Sequence, residues 1–131
     1  MEMSSSFLES LRQKAVWVRK ETLEIHKIAP ETRIASSLSD IEIFVVLYYG
    51  KILRFDSKNI RWENRDRFII SKGHGAISLY PILADLDFFD KEELKRVCQE
   101  GTFLGSIPDP VIPGFETVNG SLGHGLGVAC G

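Results

Sequence analysis

Cysteine is scarce in this sequence: Cys98 and Cys130 are the only two in 131 residues, and they show no CxxC spacing. That excludes a disulfide framework and a structural zinc site, and it reads as two reduced, mostly buried thiols. Long apolar runs are also missing. None approaches the roughly 18 to 20 residues that cross a bilayer, and the start MEMSSSFLESLRQK lacks the basic-then-apolar order of a signal peptide. The reading is a soluble, cytoplasmic chain with no membrane partner. Neither sign of charge dominates, since Lys+Arg 16 stand against Asp+Glu 18, so a nucleic acid partner has no electrostatic argument behind it. The three histidines, His26, His74 and His124, form no HExxH or other ligand cluster, and no acidic metal cluster or nucleophile elbow occurs. No residue is therefore assigned to a metal. Glycine is sparse until late: eight of the 11 lie in the last 31 residues.

What is present has the length and 44% hydrophobic content of one ordinary domain, read here as spanning 1–131. Phe7, Leu8, Leu11, Ala15, Val18, Thr22 and Ile25 recur in steps of three and four, one stripe of an amphipathic helix. Ser4, Ser5 or Ser6 can cap it, Pro30 marks its exit, and His26 near its end would favour the dipole as a cation. Ser39-Asp40-Ile41-Glu42 has the form of a capping box. It opens a helix running to about Gly50 that is apolar nearly all round, as in a helix buried on several sides. Lys51 to Arg65 reads as a surface connection. Arg67 to Ser71 is the one convincing strand, suited to a parallel sheet covered on both faces.

A glycine turn and a helix with Pro81 inside it follow that strand. Asp90-Lys91-Glu92-Glu93, a second capping box, opens a shorter helix carrying Leu94, Val97 and Cys98 inward and ending near Gly101. Residues 102–116 form a loop punctuated by Pro108, Pro110 and Pro113. Asp66, Asp85, Asp87 and Asp109 read as turn, cap or surface charges, and the basic residues as lying along solvated faces.

Two glycine turns can carry chemistry. In Ser71-Lys72-Gly73-His74-Gly75 a histidine follows a strand, at the edge where open α/β sheets bind ligands. The glycines let backbone approach a ligand, and the helix start beyond offers amides to an anion such as phosphate. A merely exposed or capping histidine is the competing reading. Gly120 to Gly127 has the spacing GxxGxGxG, which fails both the GxGxxG dinucleotide pattern and the phosphate loop. It leaves two readings open, close approach to a flat or phosphorylated ligand, or close packing of a helix.

Taken together, Asn64-Arg65-Asp66-Arg67-Phe68 running into Ser71-Lys72-Gly73-His74, then Pro113-Gly114-Phe115-Glu116 and Gly120-Ser121-Leu122-Gly123-His124-Gly125, resemble the N-terminal part of transketolase. The likeness extends from the first helix to the last residue. It implies the diphosphate-binding type of thiamine diphosphate domain, an α/β fold with a parallel sheet covered by helices, rich in helix and with its sheet incomplete in this chain. It implies that His74 contacts the cofactor and that Gly120, Ser121 and Leu122 lie against it. The reaction implied is transfer of a two-carbon ketol unit from a ketose to an aldose, with sugars or sugar phosphates as substrates.

The sequence departs from the family at three points. Arg33 and Ile34 stand where a Gly-His-Pro-like turn is common, Ile107 precedes Pro108 where another histidine is common, and His124 replaces a glutamine. These changes suggest a specialised enzyme or the N-terminal subunit of a split one. The family's Mg²⁺-binding segment would lie beyond Gly131. One strand cannot make a sheet, so the expectation is a partial domain, inactive alone, completed by a C-terminal transketolase domain or subunit and a second protomer. The alternative is a non-catalytic helical interaction module that pairs with a full-length thiamine diphosphate enzyme.

Overall fold

A computed structural model describes residues 4–131; Met1 to Met3, at the head of the segment examined for a leader, lie outside it. The described chain is helical, with α1 at Ser5–Ile28, α2 at Ile34–Leu38, α3 at Ile41–Tyr49, α4 at Leu79–Asp85 and α5 at His124–Cys130. Two 3-10 segments, Gly73–Ser78 and Lys91–Arg96, precede and follow α4. No helix among the described residues is long and apolar enough to cross a membrane.

α1 forms where its stripe predicts. Ser4 caps it by accepting from the Phe7 amide at 3.3 Å, and Leu11, Ala15, Val18, Thr22 and Ile25 are buried along one side. Thr22 is tolerated in that stripe because its hydroxyl donates to the Val18 carbonyl at 2.7 Å. α3 lies antiparallel to α1. That alignment is fixed at one end by Arg19 on Glu42 and at the other by Lys14 over the Tyr49 ring. Only one side of α3 is buried, through Ile41, Phe44, Val45 and Tyr48; Ile43 is 59% and Val46 38% exposed. This corrects the expectation of burial on several sides, because α1 and α4 cover a single face.

α4 is the centre of the core. Leu79, Tyr80, Ile82 and Leu83 are fully buried, each aliphatic side chain contributing about 1.5–3 kcal/mol by leaving water. Pro81 is the third residue of α4, within the first turn where an absent amide costs no helical bond. The Tyr80 hydroxyl donates to the Gly105 carbonyl at 2.7 Å, drawing the proline-rich loop onto the core. Val97, Leu104 and Ile112 close the core from that side.

Several local expectations change. Residues 67–70 have no regular secondary structure, and no strand lies beside them among the described residues, so the expected strand has no ladder. Phe68 packs its ring edge-on to Phe44 and Tyr48, and Ile70 is buried. The Ser39 box does not close: α3 begins without a side-chain cap, because the Ser39 hydroxyl is engaged elsewhere. Asp90 does cap, accepting from the Glu92 amide at 2.9 Å, but the segment it opens is 3-10 and ends at Arg96. Cys98 is half-buried and Cys130 exposed, against the expected burial of both. Burial, with Glu31's charge and hydrogen bond, pushes the Cys98 thiol up to about 11.

His26 is not the helix-end cation expected. The Thr32 hydroxyl donates to the Ala29 carbonyl at 2.6 Å, so it accepts from His26 Nδ1–H. The ring is the Nδ1–H tautomer, with Nε2 buried and unpartnered among the described residues. Burial lowers its pKa.

Asp85 is no surface charge either. Lys14 at 2.7 Å, Tyr49 at 2.8 Å and Lys91 at 2.9 Å all donate to its carboxylate, tying α1 and α3 to the end of α4. Burial alone would raise this carboxyl, but the three hydrogen bonds outweigh it and hold it at about 2.

Candidate functional site

The two glycine turns meet through contacts 46 and 54 positions apart in the chain. The Gly125 amide donates to Ser71 Oγ at 3.1 Å. A Cβ on Gly125 would stand 2.8 Å from the Ser71 Cα, and one on Gly73 would stand 1.5 Å from the Asn119 carbonyl oxygen. Backbone therefore passes directly against backbone at both points. This junction seats His74 and Gly120 next to Gly73 and Asn119, one residue on in each turn. Pro108 reaches the same place, with its Cδ 3.1 Å from the Gly73 Cβ position, and Ile107 Cδ1 lies 3.7 Å from that of Gly120. The residues that depart from the transketolase pattern at 107 and 124 thus flank the junction.

A third segment holds the histidine turn from behind. Lys72 Nζ donates to the Ser36 carbonyl at 3.0 Å, to Ser39 Oγ at 2.7 Å and to Asp40 Oδ1 at 2.7 Å. Asp40's other oxygen abuts Gly75, where a Cβ would come within 2.2 Å. The Asp40 side chain is only 14% exposed, so its charge needs this ammonium. The sequence reading missed Lys72 by placing every lysine on a solvated face. Its partners are 32 to 36 residues away, and no local pattern announces them.

The glycines divide into two kinds. Gly73, Gly75 and Gly125 are required by packing within the chain, and for Gly125 this matches the close-packing reading of its turn. Around Gly123 and Gly127 a Cβ would meet nothing within 4 Å, and Gly123 has φ +89°. Gly120, Ser121, Leu122 and Gly123 are exposed. Among the described residues, the amides of Gly120, Ser121 and Leu122 donate to no protein acceptor. The imidazole of His74 is half-buried and likewise hydrogen-bonds to nothing among the described residues. Asn119 is 97% buried by its 3% exposure; its Nδ2 donates to Thr117 Oγ1 at 2.6 Å, and its Oδ1 has no partner.

Consecutive amides without acceptors and open space over glycine backbone are features that, in general, suit an anionic group. Arg33 heads α2 as an exposed residue, its carbonyl accepting from Ser37 N at 3.1 Å. α2 packs on the 73–78 segment. His124 is exposed at the start of α5.

Comparison with known proteins gives this arrangement its context. Residues 25–131 match the family model for the transketolase, thiamine diphosphate binding domain. The chain is 36% identical over 122 residues to 6-deoxy-6-sulfo-D-fructose transketolase subunit SqwG of a Clostridium species, covering 92% of this chain and 44% of that protein. It is 33% identical to human transketolase, covering 95% of this chain and 20% of that one. Among solved structures, the transketolase of Campylobacter jejuni superposes with TM-score 0.81 at 29% identity, over 95% of this chain and 19% of its own length. That of Leishmania mexicana does so with TM-score 0.80 at 26% identity, over 95% and 18% respectively. The chain thus spans less than half of the relatives it matches, and its helix-rich structure, without a strand among the described residues, corresponds to an incomplete N-terminal portion of their α/β fold. On this match of sequence and fold, the chain belongs to the transketolase family, as the N-terminal part of its thiamine-diphosphate-binding domain.

Proposed function

We propose that the chain contributes the diphosphate half of a thiamine diphosphate site to a transketolase-type transferase that moves a two-carbon ketol unit from a ketose to an aldose. The observation that carries this reading is the junction itself: two turns joined through Ser71 and Gly125, bearing an uncommitted His74 and three acceptor-free amides. In this arrangement the amides of Gly120, Ser121 and Leu122 would hold the diphosphate, and the His74 imidazole would contact the cofactor as a polar partner. When bound, thiamine diphosphate supplies the carbanion chemistry that an unaided side chain cannot. The chain's own task is to hold it and to exclude water around it. Lys72 and Asp40 fix the histidine turn, and Pro108 fills the space behind Gly73.

Mg²⁺ would take ligands outside this chain, as would the rest of the cofactor. The completed enzyme accordingly needs a C-terminal transketolase domain or subunit and a second protomer, and it works in the cytoplasm on sugars or sugar phosphates. Ile107 in place of a sugar-facing histidine, and Arg33 in place of another, point to a donor other than the common ketose phosphates.

The test is ketol transfer, assayed with thiamine diphosphate, Mg²⁺ and a panel of ketose donors and aldose acceptors. The chain alone should show none, and the chain joined to its completing domain or subunit should transfer from at least one ketose. Transfer by the chain alone would overturn its incompleteness. No transfer by the assembled enzyme across the panel would favour an interaction module instead.

A further inference from the structure

A cavity of about 230 Å³ lies away from the glycine turns and shares no lining residue with their junction. It is bounded by the end of α3, the 53–68 connection, Phe88 and the 110–116 turn. Its apolar wall is aromatic. Tyr48 contacts Phe55 at 5.5 Å and Phe68 at 6.0 Å between ring centroids, and Phe55 contacts Phe88 at 5.6 Å. These rings are held by one another and leave the space beside them open, which suits a single flat ring with a short substituent.

Of the three carboxylates around this slot, Asp66 and Glu116 are ion-paired and Asp56 is not. Asp66 is clasped by Arg54, with Nη2 at 2.8 Å from Oδ1. Glu116 receives Arg65 through two bonds, at 3.1 and 2.9 Å, and Asp56 Oδ1 accepts from the Lys58 amide at 2.9 Å. Arg61 also lines the cavity, and among the described residues its guanidinium has neither an ion-pair nor a hydrogen-bond partner. A free guanidinium beside an aromatic slot matches the planar, bidentate geometry of a carboxylate. Asp56, the lining carboxylate without an ion pair among the described residues, works against a more highly charged anion such as a phosphate dianion.

We propose that this cavity is a binding site for a small aromatic monocarboxylate, its ring against Phe55 and Phe88 and its carboxylate on Arg61. Phenylacetate, benzyl alcohol and phenethylamine, titrated separately into the full chain, test this through the NMR shifts of Phe55, Phe88 and Ile60. Phenylacetate should give saturable shifts confined to those residues and bind about tenfold more tightly than benzyl alcohol, with phenethylamine weakest.

Arg61→Gln should weaken phenylacetate by about tenfold and leave benzyl alcohol unchanged. Ile60→Trp, placed at a residue 39% exposed on the rim, should fill the slot and abolish binding of all three. Unmoved Tyr80 and Leu83 resonances would show that the fold is retained. Absence of saturable phenylacetate shifts, an unchanged phenylacetate affinity in Arg61→Gln, or tighter binding of phenethylamine would each overturn the proposal.

Discussion

Replacing Gly73 by alanine sets a Cβ 1.5 Å from the Asn119 carbonyl oxygen and 2.6 Å from its carbonyl carbon. A carbon and a carbonyl oxygen rest no closer than about 3.3 Å, so the two turns must part by about 2 Å. Overpacking of this kind costs about 1–3 kcal/mol. The separation also threatens the bond from Gly125 to Ser71 Oγ, worth about 1 kcal/mol more. A total near 3 kcal/mol should lower the melting temperature of a chain this size by about 10 °C. Gly127→Ala supplies the control of opposite sign. A Cβ there meets nothing within 4 Å, and alanine inside α5 gains up to about 0.8 kcal/mol of helix propensity. Thermal denaturation followed by circular dichroism measures both, and amide NMR shifts over 119–125 locate the change. Gly73→Ala melting within about 2 °C of wild type, with those amides unmoved, would refute the contact on which the site is built.

Two further outcomes follow from other contacts. Lys72→Met should leave the Asp40 carboxylate poorly paired in a mostly buried position, cost about 1–3 kcal/mol, and speed hydrogen exchange at Gly75, whose amide donates to the Lys72 carbonyl at 2.9 Å; unchanged exchange would remove Lys72 from its holding role. The Asp85 carboxyl, held at about 2, contributes stability that is present above the unfolded carboxylate range and disappears as pH falls through that value. Wild type should therefore lose about 1 kcal/mol between pH 5 and 2 that Asp85→Asn does not lose, after discounting for partial exposure; parallel acid titrations of the two proteins would contradict this.

How far the sequence foretold the molecule depends on how local the cause was. α1 was legible because a stripe in steps of three and four needs only a neighbour to lie on, and Ser4 caps it from within four residues. Residues 67–70 were misread as a strand because a strand is defined by the partner beside it, and their apolar character says only that they are covered. The Ser39 box has the right letters, yet its hydroxyl is taken by Lys72 from 33 residues away. Asp85 looked like one acid among several, and only the fold brings Lys14, Tyr49 and Lys91 to it. For the site, the motif resemblance located both turns, but spacing alone could not separate glycines needed by a ligand from glycines needed by packing. Gly73, Gly75 and Gly125 prove to be the second kind, and the exposed run from Gly120 to Gly123 keeps the first reading available.

Calorimetric titration of thiamine diphosphate, with Mg²⁺ present, into the assembled enzyme tests the central claim most directly when wild type is compared with His74→Ala. A turn histidine buries little apolar area, so the substitution should leave melting nearly unchanged while weakening the cofactor by about tenfold through loss of one polar contact to a charged ligand. Equal affinity in the two proteins would contradict the account and remove His74 from the site.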